Sequence, residues 1–411
     1  YTLTINLPPG SGNGLQFFPL TAPVRLLDTR AGQIGCEAPG TPIPGGTSRT
    51  QVARRMCDGL IIPAGAMAIT GNITSVQSGG GYLTLYPSDA SQPTVANSNY
   101  APNEVLNNVF TVGLGDADGA FKIFVTSTTD VVVDVTGYYA PPEPGGLYFH
   151  PLPKPIRLLE TRAGFTGCFS PGTQILGGTD TAQQARITCD GVTIPASARS
   201  IVGNATTVNT SGTGAQFMTL FPAVAARPLA ASSNYNPGQV MNAPFTVGLS
   251  AAGAFNIFAT SNTDLVIDVL GYYSPDATDD NGLGLLFNSL PRPVRLLETR
   301  PQFNGCYNPG APIQGGVVRL QPARGSCDGV PIADNALALV GNATVLNGNG
   351  GYLTFWPSTA TQPTVAASNF LPGQVFNRHF TVGLGAADGA FRIFSQFTTD
   401  LVIDVSGYFA P

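Results

Sequence analysis

The chain is poor in charge and almost without histidine and lysine. Its 411 residues include 19 Lys plus Arg and 24 Asp plus Glu, and only Lys122 and Lys154 are lysines. The charged fraction of 10% is less than half the usual ~25%. No basic run is present, which excludes a nucleic-acid partner. A disordered polyelectrolyte is excluded too, because 43% of the residues are hydrophobic and the formal net charge is only −5. No stretch approaches ~18 uninterrupted apolar residues, so no membrane span is expected. The two histidines, His150 and His379, occupy unrelated places, which weakens most catalytic and metal-binding readings at the outset.

What is abundant is turn chemistry, with 50 Gly and 35 Pro. These residues punctuate three copies of one unit. Each copy opens on Arg25-Leu-Leu-Asp-Thr-Arg30, Arg157-Leu-Leu-Glu-Thr-Arg162 or Arg295-Leu-Leu-Glu-Thr-Arg300, and closes on a segment ending Gly137-Tyr-Tyr139, Gly271-Tyr-Tyr273 or Gly407-Tyr-Phe409. The period of about 132 to 138 residues far exceeds that of a solenoid, so each copy is expected to be a domain with its own core. Period-two alternation over Ala68–Val76, Tyr82–Tyr86, Val109–Leu114, Ala120–Thr126 and Asp130–Val135 predicts strands, and no window has helical periodicity. Pro237-Gly238, Pro372-Gly373 and Pro102-Asn103 suit type II turns, and Asp118-Gly119 and Asp388-Gly389 suit hairpins. The expected fold is all-β: three tandem β-sandwich or barrel-like domains over 15–140, 147–274 and 285–411. They follow a strand and tether over 1–14 and are joined by linkers over 141–146 and 275–284, the first stiff, the second more flexible, like beads on short strings.

Six cysteines fall two per copy with the same separation: Cys36 and Cys57, Cys168 and Cys189, Cys306 and Cys327. The repeated spacing predicts three disulfides within copies and hence an oxidising compartment. Metal binding would need clustered ligands, which these pairs lack. The chain is expected to be extracellular or on a cell surface, exported with a signal peptide that has been cleaved.

No nucleophile elbow, zinc-protease pair, phosphate loop or dinucleotide fingerprint is present, so no catalytic, cofactor or metal residue is assigned and no enzymatic activity is expected. Charge recurs at six positions: Arg25/Arg157/Arg295, Arg30/Arg162/Arg300, Asp28/Glu160/Glu298, Asp58/Asp190/Asp328, Asp130/Asp264/Asp400 and Asp134/Asp268/Asp404. An acid in an apolar strand needs a compensating charge, so Asp134, Asp268 and Asp404 are expected to pair with an arginine of the opening segment. A carboxylate site for catalysis or sugar is the alternative. Asp276, Asp279, Asp280 and Asn281 in the second linker suggest calcium, or simply a solvated linker. Asn72, Asn204 and Asn342 begin equivalent glycosylation sequons, and Asn209 begins a fourth. Trp356, with Tyr352 and Phe355, reads as core or as a sugar platform.

One segment does not repeat. Tyr1, Leu3, Ile5 and Leu7 share one face of a perfectly alternating strand, tethered by Pro8-Pro-Gly-Ser-Gly-Asn-Gly14. It is expected either to join a sheet of its own first domain or to add to a sheet of the next molecule, a head-to-tail contact that propagates as a filament.

The set Pro23-Val-Arg-Leu-Leu-Asp-Thr-Arg30, Gly81-Tyr-Leu-Thr-Leu-Tyr-Pro87, Ser98-Asn-Tyr100 and Asp130-Val-Val-Val-Asp-Val-Thr-Gly-Tyr-Tyr139 resembles a β-rich repeat of secreted and cell-surface bacterial proteins. There it occurs in tandem or beside exported hydrolases. The resemblance implies an extracellular module without a catalytic set, and the cysteine pair and N-terminal strand depart from it. The sequence thus points to a structural subunit of an extracellular filament or surface assembly whose partner is itself. A multivalent array engaging surface glycans is the alternative.

Overall fold

The computed structural model describes residues 14–76, 78–228 and 230–411, and the strand expected at Tyr1–Leu7 lies outside them. The described chain is all-β, with no helix. Repeat one contains β1 (Gln16–Asp28), β2 (Thr47–Val52), β3 (Ala68–Val76), β4 (Gly81–Pro87), β5 (Ser98–Tyr100), β6 (Leu106–Gly113), β7 (Ala120–Val125) and β8 (Asp130–Ala140). They form two antiparallel sheets, ordered β1-β8-β3-β6 and β2-β7-β4-β5. Repeats two and three build the same two sheets from equivalent residues. A further two-stranded hairpin, Met56–Cys57 with Leu60–Ile61 in repeat one, recurs in each copy.

Local chemistry explains the elements. Asp58-Gly59, Asp190-Gly191 and Asp328-Gly329 turn that hairpin with both residues at positive φ, between 49° and 76°, the type I′ geometry for which Asp-Gly is suited. This accounts for one of the six recurring charges. Asn103, Gly238 and Gly373 likewise take positive φ at their Pro-led turns. Gly137, Gly271 and Gly407 lie against the rings of Phe17, Phe149 and Phe287, where a Cβ would come within 2.6 Å of ring carbon. That close approach explains the glycine of the closing motif.

The beads-on-strings expectation is corrected, because the repeats join in one closed body. Leu15 pairs with Phe287, Leu147 with Phe17 and Leu285 with Phe149, each through two backbone hydrogen bonds of 2.7–2.9 Å. Six four-stranded sheets result, as many as in a six-bladed β-propeller, and the three repeats are joined and not separate. The linkers are ordered into this body. Glu143 N donates to Gln16 Oε1 at 3.1 Å, and the second linker forms a hairpin, Thr278–Asp279 against Gly282–Leu283. Sequence reading missed the ring because every residue that closes it looks like ordinary core or linker.

Candidate functional site

The recurring charges converge where each opening strand meets its closing strand. Arg25 faces Asp134 across the β1–β8 register. Its Nε and Nη2 donate to the two carboxylate oxygens at 2.9 and 3.1 Å. Arg157–Asp268 (2.9 and 3.4 Å) and Arg295–Asp404 (2.9 and 3.3 Å) repeat the geometry. Arg30, Arg162 and Arg300 do not reach those aspartates. They fork onto Asp28, Glu160 and Glu298 at 2.6–2.9 Å. Thr29, Thr161 and Thr299 donate to Asp130, Asp264 and Asp400. Burial pushes the carboxyls of Asp134, Asp268 and Asp404 up, and the paired arginine opposes it. The geometry is that of a strut holding the two ends of a repeat together.

Three disulfides join Cys36–Cys57, Cys168–Cys189 and Cys306–Cys327. Asn72, Asn204 and Asn342 are only 8%, 2% and 4% exposed. Asn72 donates to Ala231 O of repeat two, and Asn342 accepts from Asn108 of repeat one. Glycosylation at these three positions is therefore corrected: they are packed against neighbouring repeats, where the folded chain has no room for a glycan. Asn209 is exposed and donates to Asp264. Trp356 is buried, with its indole N–H bonded to Ala360 O. In the second linker Asp279 accepts from Tyr272 and from Asn281 N, so it staples the hairpin. Among the described residues no three His, Cys, Asp or Glu are grouped to hold a metal.

The ring's axis carries what the sequence did not announce. Phe17, Tyr273, Phe149, Phe409, Phe287 and Tyr139 form a closed cycle of buried rings with neighbouring centroids 4.3–5.3 Å apart, within the range of favourable aromatic pairing. Asn107, Asn242 and Asn377, equivalent residues, each reach into the next repeat. Asn107 bonds Ser232 O and Asn234 N, Asn242 bonds Ala366 O, and Asn377 bonds Ala96 O and Asn99 N. Arg378, fully buried, donates to the carbonyls of all three: Asn242 at 2.7 Å, Asn107 at 3.2 Å and Asn377 at 3.5 Å. Burial pulls its pKa down to about 9, which leaves it charged at neutral pH. His379 beside it is buried and held neutral, its pKa pushed down to about 3. No period-two or repeat signal marks either residue, since the equivalents are Asn108-Val109 and Ala243-Pro244.

Where repeat three meets repeat one, a groove of about 640 Å³ opens between Leu15, Met67, Leu114 and Phe287–Arg292. The corresponding space between repeats one and two is about 50 Å³. Each repeat also carries an equivalent aromatic pair on its second sheet: Tyr82–Phe124, Phe217–Phe258 and Tyr352–Phe394. Tyr82 and Phe217 are 37% and 38% exposed.

No family model and no curated protein matches the chain. Among solved structures, the N-terminal CBM22-1–CBM22-2 tandem domain of Xyn10C from Paenibacillus barcinonensis aligns with 62% of this chain and 98% of its own, at 9% identity and a TM-score of 0.17. A likeness of that size fixes neither fold nor function.

Proposed function

We propose that the protein is a structural subunit of an extracellular assembly, joined head to tail by its N-terminal strand. One observation carries this reading. The ring is complete from Leu15 onward, because Leu15 already makes with Phe287 the pairing that Leu147 and Leu285 make with Phe17 and Phe149. Closure thus does not call on the alternating segment Tyr1–Leu7, whose apolar-polar alternation suits it to adding to a sheet. The recurring charges are engaged in struts and turns rather than converging on a cleft, which favours a building block over a catalyst. Three disulfides fit export, and no described helix is long and apolar enough to cross a membrane. The finer fold reading is that the two sheets of a repeat are layers of one sandwich. Apart from the adjacent pair β4 and β5, consecutive strands alternate between them, unlike the meander of a propeller blade, and Phe355 and Phe391 meet Phe380 across the two layers at 5.3 and 6.4 Å.

Electron microscopy and sizing of the chain with and without residues 1–7 test the reading. Full-length polymers and a monomeric truncation are expected; polymers from both chains defeat it. The three aromatic pairs support a second reading, a trivalent glycan binder. A glycan array probed with the wild type and with Tyr82→Ala, Phe217→Ala and Tyr352→Ala separates it: saturable binding lost stepwise would favour this alternative.

A further inference from the structure

Strand addition needs a sheet edge whose backbone groups are free and whose side chains match the incoming strand. The ring covers most of its edges: β5 and β6 and their counterparts pack against neighbouring repeats through the asparagine contacts. Three edges have no flanking strand among the described residues, namely β2, Asp180–Gln184 and Val318–Pro322. Their registers against the adjacent strand make Ser48, Asp180 and Val318 equivalent, and likewise Thr50, Ala182 and Leu320. The first two edges are blunted in the usual way, by hydroxyls and by an Asp180–Arg227 ion pair. The third is not: Val318 is 37% and Leu320 50% exposed, and Val317 before them is exposed where the other repeats have threonine. Two outward apolar residues at alternate positions on an open edge are a liability unless something covers them.

We infer that the edge strand Val318–Pro322 of repeat three is the acceptor, and that its occupant is Tyr1–Leu7 of a second copy. This rests on the strand-exchange reading above and deepens it. The occupant follows from the chain: the thirteen residues before Gly14 are uncharged, and the first seven alternate apolar and polar with the period of the edge. Gly14, which follows them, lies against Leu286 of repeat three, so one copy would carry a donor at its start and an acceptor in its last repeat. Such a contact is heterologous and does not close on itself, so copies add in line. The groove beside Leu15 is a poorer acceptor, since its wall at Phe287–Arg292 is the irregular part of an opening strand already paired with its closing strand.

The test is fluorescence anisotropy with a labelled peptide of residues 1–13 and the chain lacking residues 1–7. Saturable binding is expected, weakened at least about tenfold by Leu320→Lys or Val318→Lys and unchanged by the equivalent Thr50→Lys and Ala182→Lys. All four positions lie on edge strands, and thermal unfolding checks that each variant is folded. Binding that survives Leu320→Lys but is lost with Met67→Lys would move the acceptor to the groove and overturn the inference while sparing strand exchange. No binding at all, with polymers unaffected by loss of residues 1–7, would overturn both. A full-length monomer that refuses the peptide would put the strand on its own edge and overturn addition between copies.

Discussion

Two positions, each present three times, are filled in different ways. On the closing strand stand Asp134, Asp268 and Asp404, identical and each gripped by an arginine at 2.9 Å. On the outer edge strand stand Ser48, Asp180 and Val318, which share neither charge nor polarity. The first position answers to the repeat's own fold, so every copy needs the same solution. The second is free to differ between copies, and only repeat three has an apolar residue there. The axis shows a third pattern, in which one copy acts for all. Arg378 bonds a carbonyl from each repeat, and a second guanidinium would have no place beside it.

The largest effect is expected where the copies agree. Asp134→Ala, Asp268→Ala and Asp404→Ala should each cost about 3 kcal/mol, because each leaves a partly buried arginine with only its longer contact to Asp28, Glu160 or Glu298 at 3.4–3.5 Å. Equal losses in chemical denaturation would sharpen the comparison, and a neutral variant at any one position would break it. Next comes the axis. Arg378→Ala should cost about 2–4 kcal/mol through the cavity it leaves and the carbonyls it orphans, whereas Asn108→Ala at the equivalent place should cost less.

A pH-dependent effect follows at the same place. The folded chain keeps His379 neutral down to about 3, while an unfolded histidine takes up a proton below about 6.5. The unfolded state therefore binds more protons in that window, so this group's contribution is complete above pH 6.5 and is lost as pH falls toward 3. Between pH 6.5 and 4.5 the loss is about 2–3 kcal/mol. The buried aspartates, whose carboxyls are raised, act in the opposite sense, so the comparison to make is wild type against His379→Val, valine being the residue at the equivalent position 109. The variant should lack that part of the acid destabilisation in thermal unfolding. Smallest is the edge: Leu320→Lys should change stability by less than about 0.5 kcal/mol. A large loss would mean that the edge serves the fold, and the contrast between inside and outside would fail.

Much of this was legible from sequence because it rests on local patterns. Period-two alternation marked Ala68–Val76 and Asp130–Val135, identical spacing pointed to Cys36–Cys57 and its counterparts, and an acid in an apolar strand called for an arginine of the opening segment, which the structure shows to be Arg25 and not Arg30. What was not legible depends on sequence-distant contacts. Phe17 and Tyr139 look like ordinary core residues until six such rings meet, and Pro19 and Pro23 interrupt the alternation of the opening strand that carries Phe17. Asn72 carries a sequon whose burial only the neighbouring repeat decides. The second linker is acidic and has few apolar residues, yet it folds because Tyr272 and Asn281 engage Asp279.

The most direct measurement mixes two defective chains. On the proposed assembly the chain lacking residues 1–7 would keep only the acceptor and full-length Leu320→Lys only the donor, so each alone should be monomeric. Mixed in equal amounts and weighed by native mass spectrometry or light scattering, they should give one-to-one pairs and nothing longer. Polymers from either chain alone, or no pairing in the mixture, would contradict the account.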